Sequence, residues 1–245
     1  MKKGFSKATD DVIRKSDIVL EILDARYVSE SRNLKTENKI KSYGKKLIYV
    51  ANKCDLVDKD VLEKQMKALK PSAFVSAKKH YGMTILKKLI IRESNKITDP
   101  KVGVIGYPNV GKSSIINMLK GTKAAITGSM PGITRGLQLV RAGKIMLIDA
   151  PGVIPFSEKD STKHALMGAK SFVNVEDPSF VVMDIMKERP GLIEDAYGVA
   201  VDDDKEKTLE EIALKTNAVI KGNKPDINRI SKRILMRIMK AEIKV

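Results

Sequence analysis

The amino-acid sequence predicts an α/β protein, in which a doubly wound, mostly parallel sheet is followed by a small all-helical C-terminal domain. Short apolar segments alternate with amphipathic segments through the first two thirds of the 245 residues. This alternation is typical of parallel strands covered by helices. The strand pattern stops after Pro155, and the residues that follow carry the start and stop signals of helices. We therefore expect two domains, at residues 1–155 and 156–245.

Individual elements follow from the spacing of apolar residues and from start and stop signals. Five segments have the character of strands, at 17–23, 46–50, 73–76, 101–105 and 144–148. Helices are expected near 5–15, 34–43, 58–69, 83–94 and 112–120. Residues 136–141 precede Ala142-Gly143 and predict an antiparallel hairpin with the last strand. Asp226 is expected to cap a final helix with one apolar face, formed by Ile227, Ile230, Ile234 and Ile238.

Composition narrows the class of protein. Hydrophobic residues make up 42% of the chain and charged residues 31%, which is typical of globular proteins. No apolar run approaches the ~18–20 residues that span a bilayer, and the N-terminal residues lack the apolar stretch of a secretory signal. The single cysteine, Cys54, excludes an intrachain disulfide framework and a cysteine zinc cluster. We therefore expect a cytoplasmic protein that does not enter membranes.

The net charge of +16 lies in residues 1–155, because residues 156–245 carry equal numbers of acidic and basic side chains. A basic body indicates a polyanionic partner, for which we favour nucleic acid, although a lysine-rich solvated surface has the same composition. Few aromatic residues and no tryptophan argue against a base-stacking groove. The candidate RNA contacts are basic residues of the final helix that lie largely off its apolar stripe: Arg229, Lys232, Arg233 and Lys240.

A phosphate-binding motif spans Gly106-Tyr-Pro-Asn-Val-Gly-Lys-Ser113 and fits the pattern G-x-x-x-x-G-K-[ST]. It follows a predicted strand and opens a predicted helix, so backbone N–H groups and the positive helix end can cradle phosphate oxygens. Lys112 is expected to reach the outer phosphates, and Ser113 to ligate Mg²⁺. With Gly152 from the next motif, the predicted phosphate-binding residues are Asn109, Val110, Gly111, Lys112, Ser113, Ser114 and Gly152.

A second motif, Asp149-Ala-Pro-Gly152, ends another predicted strand. Asp149 can hold Mg²⁺ directly or through water, and the Gly152 N–H can meet the terminal phosphate. Thr134, which lies between the two motifs, is the natural second hydroxyl ligand. The sequence therefore predicts a Mg²⁺ site of Ser113, Thr134 and Asp149. The predicted catalytic residues are Lys112, Thr134, Gly152 and Asn109.

Two further motifs predict a base site. Asn52-Lys-Cys-Asp55 and Ser76-Ala-Lys78 follow consecutive predicted strands. The Asp55 carboxylate can accept hydrogen bonds from the N1–H and the exocyclic amine of guanine, whereas adenine would leave it unpaired. The tandem arrangement therefore favours GTP over ATP. The predicted guanine-binding residues are Asn52, Lys53, Asp55, Ser76, Ala77 and Lys78.

The base motifs precede the phosphate motifs, which reverses the order of ordinary small GTPases. The sites still converge, because every motif follows the carboxyl end of a strand in one sheet. With this order, and with Asp24-Ala-Arg26, Met130-Pro-Gly-Ile-Thr134 and the closing Arg233-Ile-Leu235, the chain resembles the circularly permuted P-loop GTPases of the YlqF-related family. Members of that family are assembly factors of the large ribosomal subunit.

This resemblance implies a GTPase domain at residues 1–155 and an RNA-contacting helical domain at 156–245. It implies that the protein binds GTP with Mg²⁺, hydrolyses it to GDP and phosphate, and acts as a switch in large-subunit assembly, with ribosomal RNA or the subunit as partner. Basal hydrolysis is expected to be slow, because Val153 stands where many GTPases carry a water-orienting glutamine. In K⁺-stimulated relatives an asparagine at the position of Asn109 coordinates K⁺, and a loop-stabilising asparagine is the alternative.

Two other functions stay open. One is a GTP-dependent binding switch with negligible turnover, which Val153 favours. The other is a GTPase partner in RNA modification, which Asn109 would also suit. Asp24 and Arg26 follow a predicted strand, where capping or pairing with each other is as well supported as a functional role. The sequence does not determine the oligomeric state.

Overall fold

The computed structural model describes residues 2–121, 138–149, 177–240 and 242–243. The chain forms two compact units, Met1–Glu158 and Lys159–Val245. None of the described helices has both the length and the apolar composition that crossing a membrane requires.

The first unit is built on a six-stranded sheet. Its strands are β1 (Ile18–Asp24), β2 (Lys46–Asn52), β3 (Ser72–Phe74), β4 (Lys101–Gly106), β5 (Gln138–Ala142) and β6 (Ile145–Asp149). Its helices are α1 (Lys2–Lys15), α2 (Val28–Ser31), α3 (Leu34–Ser42), α4 (Lys59–Gln65), α5 (Met83–Glu93) and α6 (Lys112–Lys120). The strand order is β3-β2-β1-β4-β6-β5, with β5 antiparallel to β6 and the other described neighbours parallel. This confirms the predicted sheet and its antiparallel edge.

Strand register aligns the ends that matter for the site. β1 lies between β2 and β4 and is buried along its whole length, as expected of a central strand in a parallel sheet. Asp24, the last residue of β1, pairs with Asn52, the last residue of β2. Ile22 pairs with Gly106, the last residue of β4. The loops that follow these three strands therefore leave the sheet at the same edge.

Two local differences from the predicted elements arise from side-chain packing. The helix expected at 58–69 ends at Gln65, and Leu69 instead packs into an apolar cluster with Leu62 and Met66. Helix α2 was not predicted, and it is a single turn in which the Ser31 hydroxyl donates to a main-chain carbonyl four residues earlier at 2.6 Å. A turn this short carries no recognisable helical periodicity.

A buried pair of carboxyl groups lies beneath the loop that follows β1. Arg32 donates to both oxygens of Glu37 at 2.8 Å, and the Tyr49 hydroxyl donates to the same carboxylate at 2.9 Å. The Asn33 N–H donates to Glu21 Oε1 at 2.9 Å. Glu21 Oε2 is buried and accepts no hydrogen bond from the described residues, and Glu37 is the neighbouring carboxyl group. Burial, supported by the Glu37 charge, raises the pKa of Glu21 to about 8. Burial alone would raise the pKa of Glu37, but the hydrogen bonds from Arg32 and Tyr49 lower it, so near neutral pH Glu21 is protonated beside an ionised Glu37.

The second unit is helical, which confirms the predicted character of the C-terminal region. Its helices are α7 (Pro178–Glu188), α8 (Leu192–Tyr197), α9 (Lys205–Lys215) and α10 (Ile227–Met239). Helix α10 packs on α7 and α9, and it buries Ile230, Ile234 and Ile238, while Ile227 is half-buried. One correction applies to the all-helical expectation: an antiparallel ribbon of β7 (Val219–Ile220) and β8 (Lys224–Pro225) separates α9 from α10. Two-residue strands are too short to show an alternating pattern.

The carboxyl pair makes stability depend on pH. Because folding raises the pKa of Glu21 from 4.5 to about 8, its stabilising contribution is complete below about pH 4.5 and is lost as the pH rises through about 8. In urea titrations we expect this residue to lower the free energy of unfolding by at most about 1.4 kcal/mol per pH unit across that range. Glu21→Gln should remove this dependence, because its amide donates to Glu37 without titrating.

The control for this prediction is Glu63→Gln, which changes an exposed glutamate of α4 and should keep the slope of the unaltered chain. Equal pH slopes for Glu21→Gln and the unaltered chain would show that folding does not raise the pKa of Glu21.

Candidate functional site

The predicted phosphate loop connects β4 to α6, and its two glycines are required by backbone conformation and by close neighbours. Gly106 has φ +142° and Gly111 has φ +96°, a region that side chains rarely adopt. A Cβ atom on Gly106 would lie 2.5 Å from the Ile22 carbonyl oxygen, and one on Gly111 would collide with Asn52 Nδ2. The glycine spacing of the motif is therefore set by contacts with the ends of β1 and β2.

The start of α6 presents the polar groups that the motif predicts. The helix begins at Lys112, whose ammonium group donates to the Tyr107 carbonyl oxygen and so folds back over the loop. Ser113 and Ser114 are exposed in the first turn, where main-chain N–H groups have no partner within the helix. Asn109 is also exposed, with φ +60°. A positive charge and free donors at a helix N-terminus can bind an anion such as phosphate.

Asn52 joins the phosphate loop to the base loop. Its side chain is 2% exposed, its Nδ2 donates to the Val110 carbonyl oxygen at 2.7 Å, and its Oδ1 accepts from the Ala77 N–H at 3.1 Å. The structure therefore brings together three predicted site residues that are far apart in sequence. The Asn52 amide therefore bridges the phosphate loop and the base loop.

The remaining base-site residues lie on the loops that follow β2 and β3. Asp55 is exposed in a single 3₁₀ turn, Cys54–Leu56, and its carboxylate has no hydrogen-bond or ion-pair partner in the part of the chain that is described. Ser76 is buried, pairs through its main chain with Tyr81, and accepts a hydrogen bond from the Lys79 N–H on its hydroxyl oxygen at 3.0 Å. Lys78 is exposed beside it. An exposed carboxylate beside a braced loop can accept hydrogen bonds from a ligand.

The structure shows the pairing of Asp24 with Arg26 that the sequence offered as an alternative, and it adds an ion pair between Asp24 and Lys53 that sequence reasoning missed. Lys53 has φ +64°, and its Nζ donates to Asp24 Oδ2 at 2.7 Å. Arg26 donates to both oxygens of the same carboxylate, at 2.9 and 2.8 Å. Burial alone would raise the pKa of Asp24, but the hydrogen bond from Arg26 and the charge of Lys53 outweigh it and hold this pKa below its ordinary value. The available signal was that Asp24 and Lys53 follow neighbouring parallel strands.

The Mg²⁺ candidates are only partly within the described residues. Asp149 ends β6, which pairs with β4, so its main chain lies on the strand next to the one that leads into the phosphate loop. Ser113 offers an exposed hydroxyl. Thr134 and Gly152 lie outside the described residues. Within those residues no group of three acidic, histidine or cysteine side chains is arranged to hold a metal ion. A hydroxyl and a carboxylate fit Mg²⁺, which is usually held by few side chains together with substrate phosphates.

In the second unit, the four predicted RNA contacts divide into two kinds. Arg229, Lys232 and Lys240 are exposed. Arg233 is half-buried, and its Nη1 donates to the Thr216 carbonyl oxygen at 3.3 Å, where it satisfies the end of α9. Two exposed lysines of the ribbon, which sequence reasoning did not include among these contacts, precede α10: Lys221 and Lys224.

A family model and two relatives that match this chain are all described as GTPases or GTP-binding proteins. A family model described as 50S ribosome-binding GTPase matches residues 101–225. An uncharacterized GTP-binding protein of Methanocaldococcus jannaschii is 40% identical over 243 residues, which cover 96% of this chain and 64% of that protein. Nucleolar GTP-binding protein 2 of Saccharomyces cerevisiae is 37% identical over 237 residues, which cover 91% of this chain and 49% of that protein. This chain thus spans less than two thirds of the relatives it matches.

Solved structures show the same fold. GNP-bound YlqF from T. maritima aligns with a TM-score of 0.71 at 20% identity, and the alignment covers 99% of this chain and 95% of that one. The GDP-bound structure of TM YlqF aligns with a TM-score of 0.66 at 21% identity, covering 95% and 93%. The predicted likeness to this circularly permuted fold is therefore confirmed.

The contact between Gly111 and Asn52 can be tested by substitution. Gly111→Ala places a Cβ against Asn52 Nδ2 at a strained φ of +96°, and strain of this kind costs about 1–3 kcal/mol. We expect GDP affinity, measured by fluorescence titration, to fall about tenfold or more. The matched control is Gly44→Ala, because Gly44 also has a positive φ, +63°, but a Cβ there meets nothing within 4 Å. Equal losses in both variants would contradict a specific role for the contact.

Proposed function

This chain belongs to the family of 50S ribosome-binding GTPases, and we propose that it binds GTP with Mg²⁺, hydrolyses it to GDP and phosphate, and acts as a nucleotide-dependent switch in assembly of the large ribosomal subunit. The observation that carries nucleotide binding is the bridge made by Asn52. One buried amide bonds the phosphate loop at Val110 and the base loop at Ala77. A single ligand with a base at one end and phosphates at the other fits that arrangement.

We assign base recognition to the loops after β2 and β3. Asp55 accepts hydrogen bonds from the guanine N1–H and amine, and its lack of a partner among the described residues supports this role. Asn52 supports both loops through its two hydrogen bonds. Lys53 and the Ser76-Ala77-Lys78 segment enclose the base. Recognition by paired donors and acceptors discriminates strongly, because a mismatched base leaves the carboxylate unpaired.

Hydrolysis is proposed to depend on positioning and charge. Main-chain N–H groups of residues 109–114 hold the phosphates, and Lys112 exchanges the Tyr107 carbonyl for phosphate oxygens. Ser113, Thr134 and Asp149 would hold Mg²⁺, which neutralises charge on the β- and γ-phosphates. The Gly152 N–H meets the terminal phosphate. Asn109, exposed on the same loop, is our candidate for holding K⁺.

A binding switch with negligible turnover is the second candidate, and the sequence observation that favours it is Val153. A valine cannot orient the attacking water by hydrogen bonding, so basal hydrolysis should be slow. The two candidates differ in whether a ribosomal particle accelerates turnover of GTP.

For the ribosomal partner, support comes from charge and from exposure. Residues 1–155, our GTPase domain, carry the whole excess of +16, and residues 156–245, our RNA-contacting domain, present exposed Arg229, Lys232 and Lys240. Basic side chains that contact RNA phosphates release counterions, so binding should weaken with salt. A cytoplasmic location stays a prediction of the sequence, and the name of the yeast relative refers to the nucleolus for that protein.

Base specificity is tested by Asp55→Asn. We expect this variant to lose about 100-fold or more in GDP affinity, because the amide cannot accept from both guanine donors. It should bind xanthosine diphosphate better than the unaltered chain does, since the Asn amide can donate to the C2 carbonyl of xanthine. Competition titrations with both nucleotides give the ratio.

The matched control is Asp58→Asn. Asp58 is a nearby exposed aspartate whose carboxylate accepts from main-chain N–H groups at the start of α4. Retention of full GDP affinity by Asp55→Asn would remove Asp55 from the base site.

The ribosomal role is tested by co-sedimentation with purified large subunits, without nucleotide, with GDP and with a non-hydrolysable GTP analogue. We expect binding with the analogue, and acceleration of GTP turnover by the subunit. Arg229→Gln with Lys232→Gln should weaken that binding and lower its salt slope by about one for each lost phosphate contact. The control pair is Lys187→Gln with Lys207→Gln, exposed lysines of α7 and α9.

Salt-sensitive binding to small and large subunits alike, whatever the nucleotide, would mean that net charge alone is responsible. Binding that depends on the analogue without any stimulated turnover would favour the second candidate, a switch with negligible hydrolysis.

A further inference from the structure

Asp24 occupies an unusual position for a charged residue, because it is 2% exposed at the end of the central strand β1. Its carboxylate accepts hydrogen bonds from Arg26 Nε at 2.9 Å, Arg26 Nη2 at 2.8 Å and Lys53 Nζ at 2.7 Å. One buried carboxylate therefore holds two cationic side chains. Lys53 lies between the bridging Asn52 and the exposed Asp55 in the base loop.

We propose that Asp24, held by Arg26, is a positioning residue that fixes the Lys53 side chain in the base-binding half of the nucleotide site. The inference rests on the proposed function, since it assigns how guanine nucleotide is bound. Asp24 and Arg26 act through Lys53 and do not themselves contact the nucleotide.

One oxygen of the carboxylate has a local structural contact, since Asp24 Oδ1 accepts from the Arg26 main-chain N–H at 3.1 Å. The main-chain N–H of Asp24 donates to Ser31 Oγ at 3.1 Å, and the Ala25 N–H donates to the Asn52 carbonyl oxygen at 2.8 Å. These bonds already connect the end of β1 to its neighbours. The other oxygen, Asp24 Oδ2, accepts from both Arg26 Nη2 and Lys53 Nζ, so the contact with Lys53 goes beyond what this turn requires.

Fixing Lys53 in advance has an energetic consequence for binding. A lysine side chain has many rotamers, and ordering it at the moment of binding would weaken the affinity by about tenfold to thirtyfold. The main chain of Lys53 is already fixed at φ +64°, and its side chain is 26% exposed, so Asp24 is the contact that restrains the ammonium group. The ion pair therefore pre-organises this half of the site.

Arg26 makes the restraint persistent. Its forked donors engage both oxygens of Asp24, and its side chain is only 6% exposed. The carboxylate keeps its charge at neutral pH because the hydrogen bonds and charges of Arg26 and Lys53 hold its pKa below the ordinary value. Without that charge, Arg26 and Lys53 would be two neighbouring cations with no anion between them.

A double-mutant cycle on the full chain tests the proposal. Asp24→Asn and Lys53→Met should each weaken GDP binding by about tenfold, and the double variant should be no weaker than either alone. Inorganic pyrophosphate, which lacks a base, should compete equally well against the labelled nucleotide in all variants. The matched control is Asp17→Asn at the other end of β1, where the carboxylate accepts from the Lys101 N–H at 2.7 Å. It should leave GDP affinity unchanged.

Any other result contradicts the inference that Asp24 acts through Lys53. If Asp24→Asn weakens GDP binding as much in the Lys53→Met background as in the unaltered chain, Asp24 acts on the fold and not through Lys53. An equal loss of pyrophosphate binding would also mean that Asp24 acts on the fold. Should Asp24→Asn fail to fold, Arg26→Lys keeps the charge but loses the fork, and its effect on GDP must likewise vanish in the Lys53→Met background. No GDP binding by the unaltered chain would overturn the proposed function and this inference together, whereas additive losses overturn the inference alone.

Discussion

The hydrogen bonds of the buried Asn52 amide are the interaction on which the arrangement of the site depends. They connect the Val110 carbonyl of the phosphate loop to the Ala77 N–H of the base loop. An unpaired buried amide costs about 1–3 kcal/mol, so the two loops stabilise each other through this side chain. Gly111 completes the contact, because a larger residue would displace the amide. The geometry of one loop is therefore coupled to that of the other.

The strand order explains why chain order does not matter for this site. Loops that bear the base motifs follow β2 and β3, whereas the phosphate loop follows β4 and Asp149 ends β6. Since β1 lies between these two groups, its last residue, Asp24, stands at the boundary between them. Parallel strands deliver all their carboxyl ends to one edge, whichever strand the chain forms first. A permuted connectivity thus preserves the site.

Buried charge is concentrated around β1 and on the side of the sheet that carries β2. A protonated Glu21 lies beside the Glu37 carboxylate beneath the loop after β1, and Asp24 holds Arg26 and Lys53 at the start of that loop. In each case an arginine fork satisfies a carboxylate that burial would otherwise neutralise. The second unit differs: exposed basic groups occur on the ribbon and on α7, α9 and α10, and Arg233 donates to a main-chain carbonyl at the end of α9.

The sequence by itself determined the parallel sheet, its antiparallel edge and the motif residues from Gly106 to Ser113, because apolar periodicity and local spacing are properties of short segments. It also predicted, from the chemistry of guanine, that Asp55 is the hydrogen-bond acceptor of the base. Only the tertiary structure decided that Asn52 bridges two loops, that Lys53 pairs with Asp24 and that Arg233 is not free. These contacts join residues 17 to 58 positions apart, and they depend on strand register and helix packing, which no local pattern records.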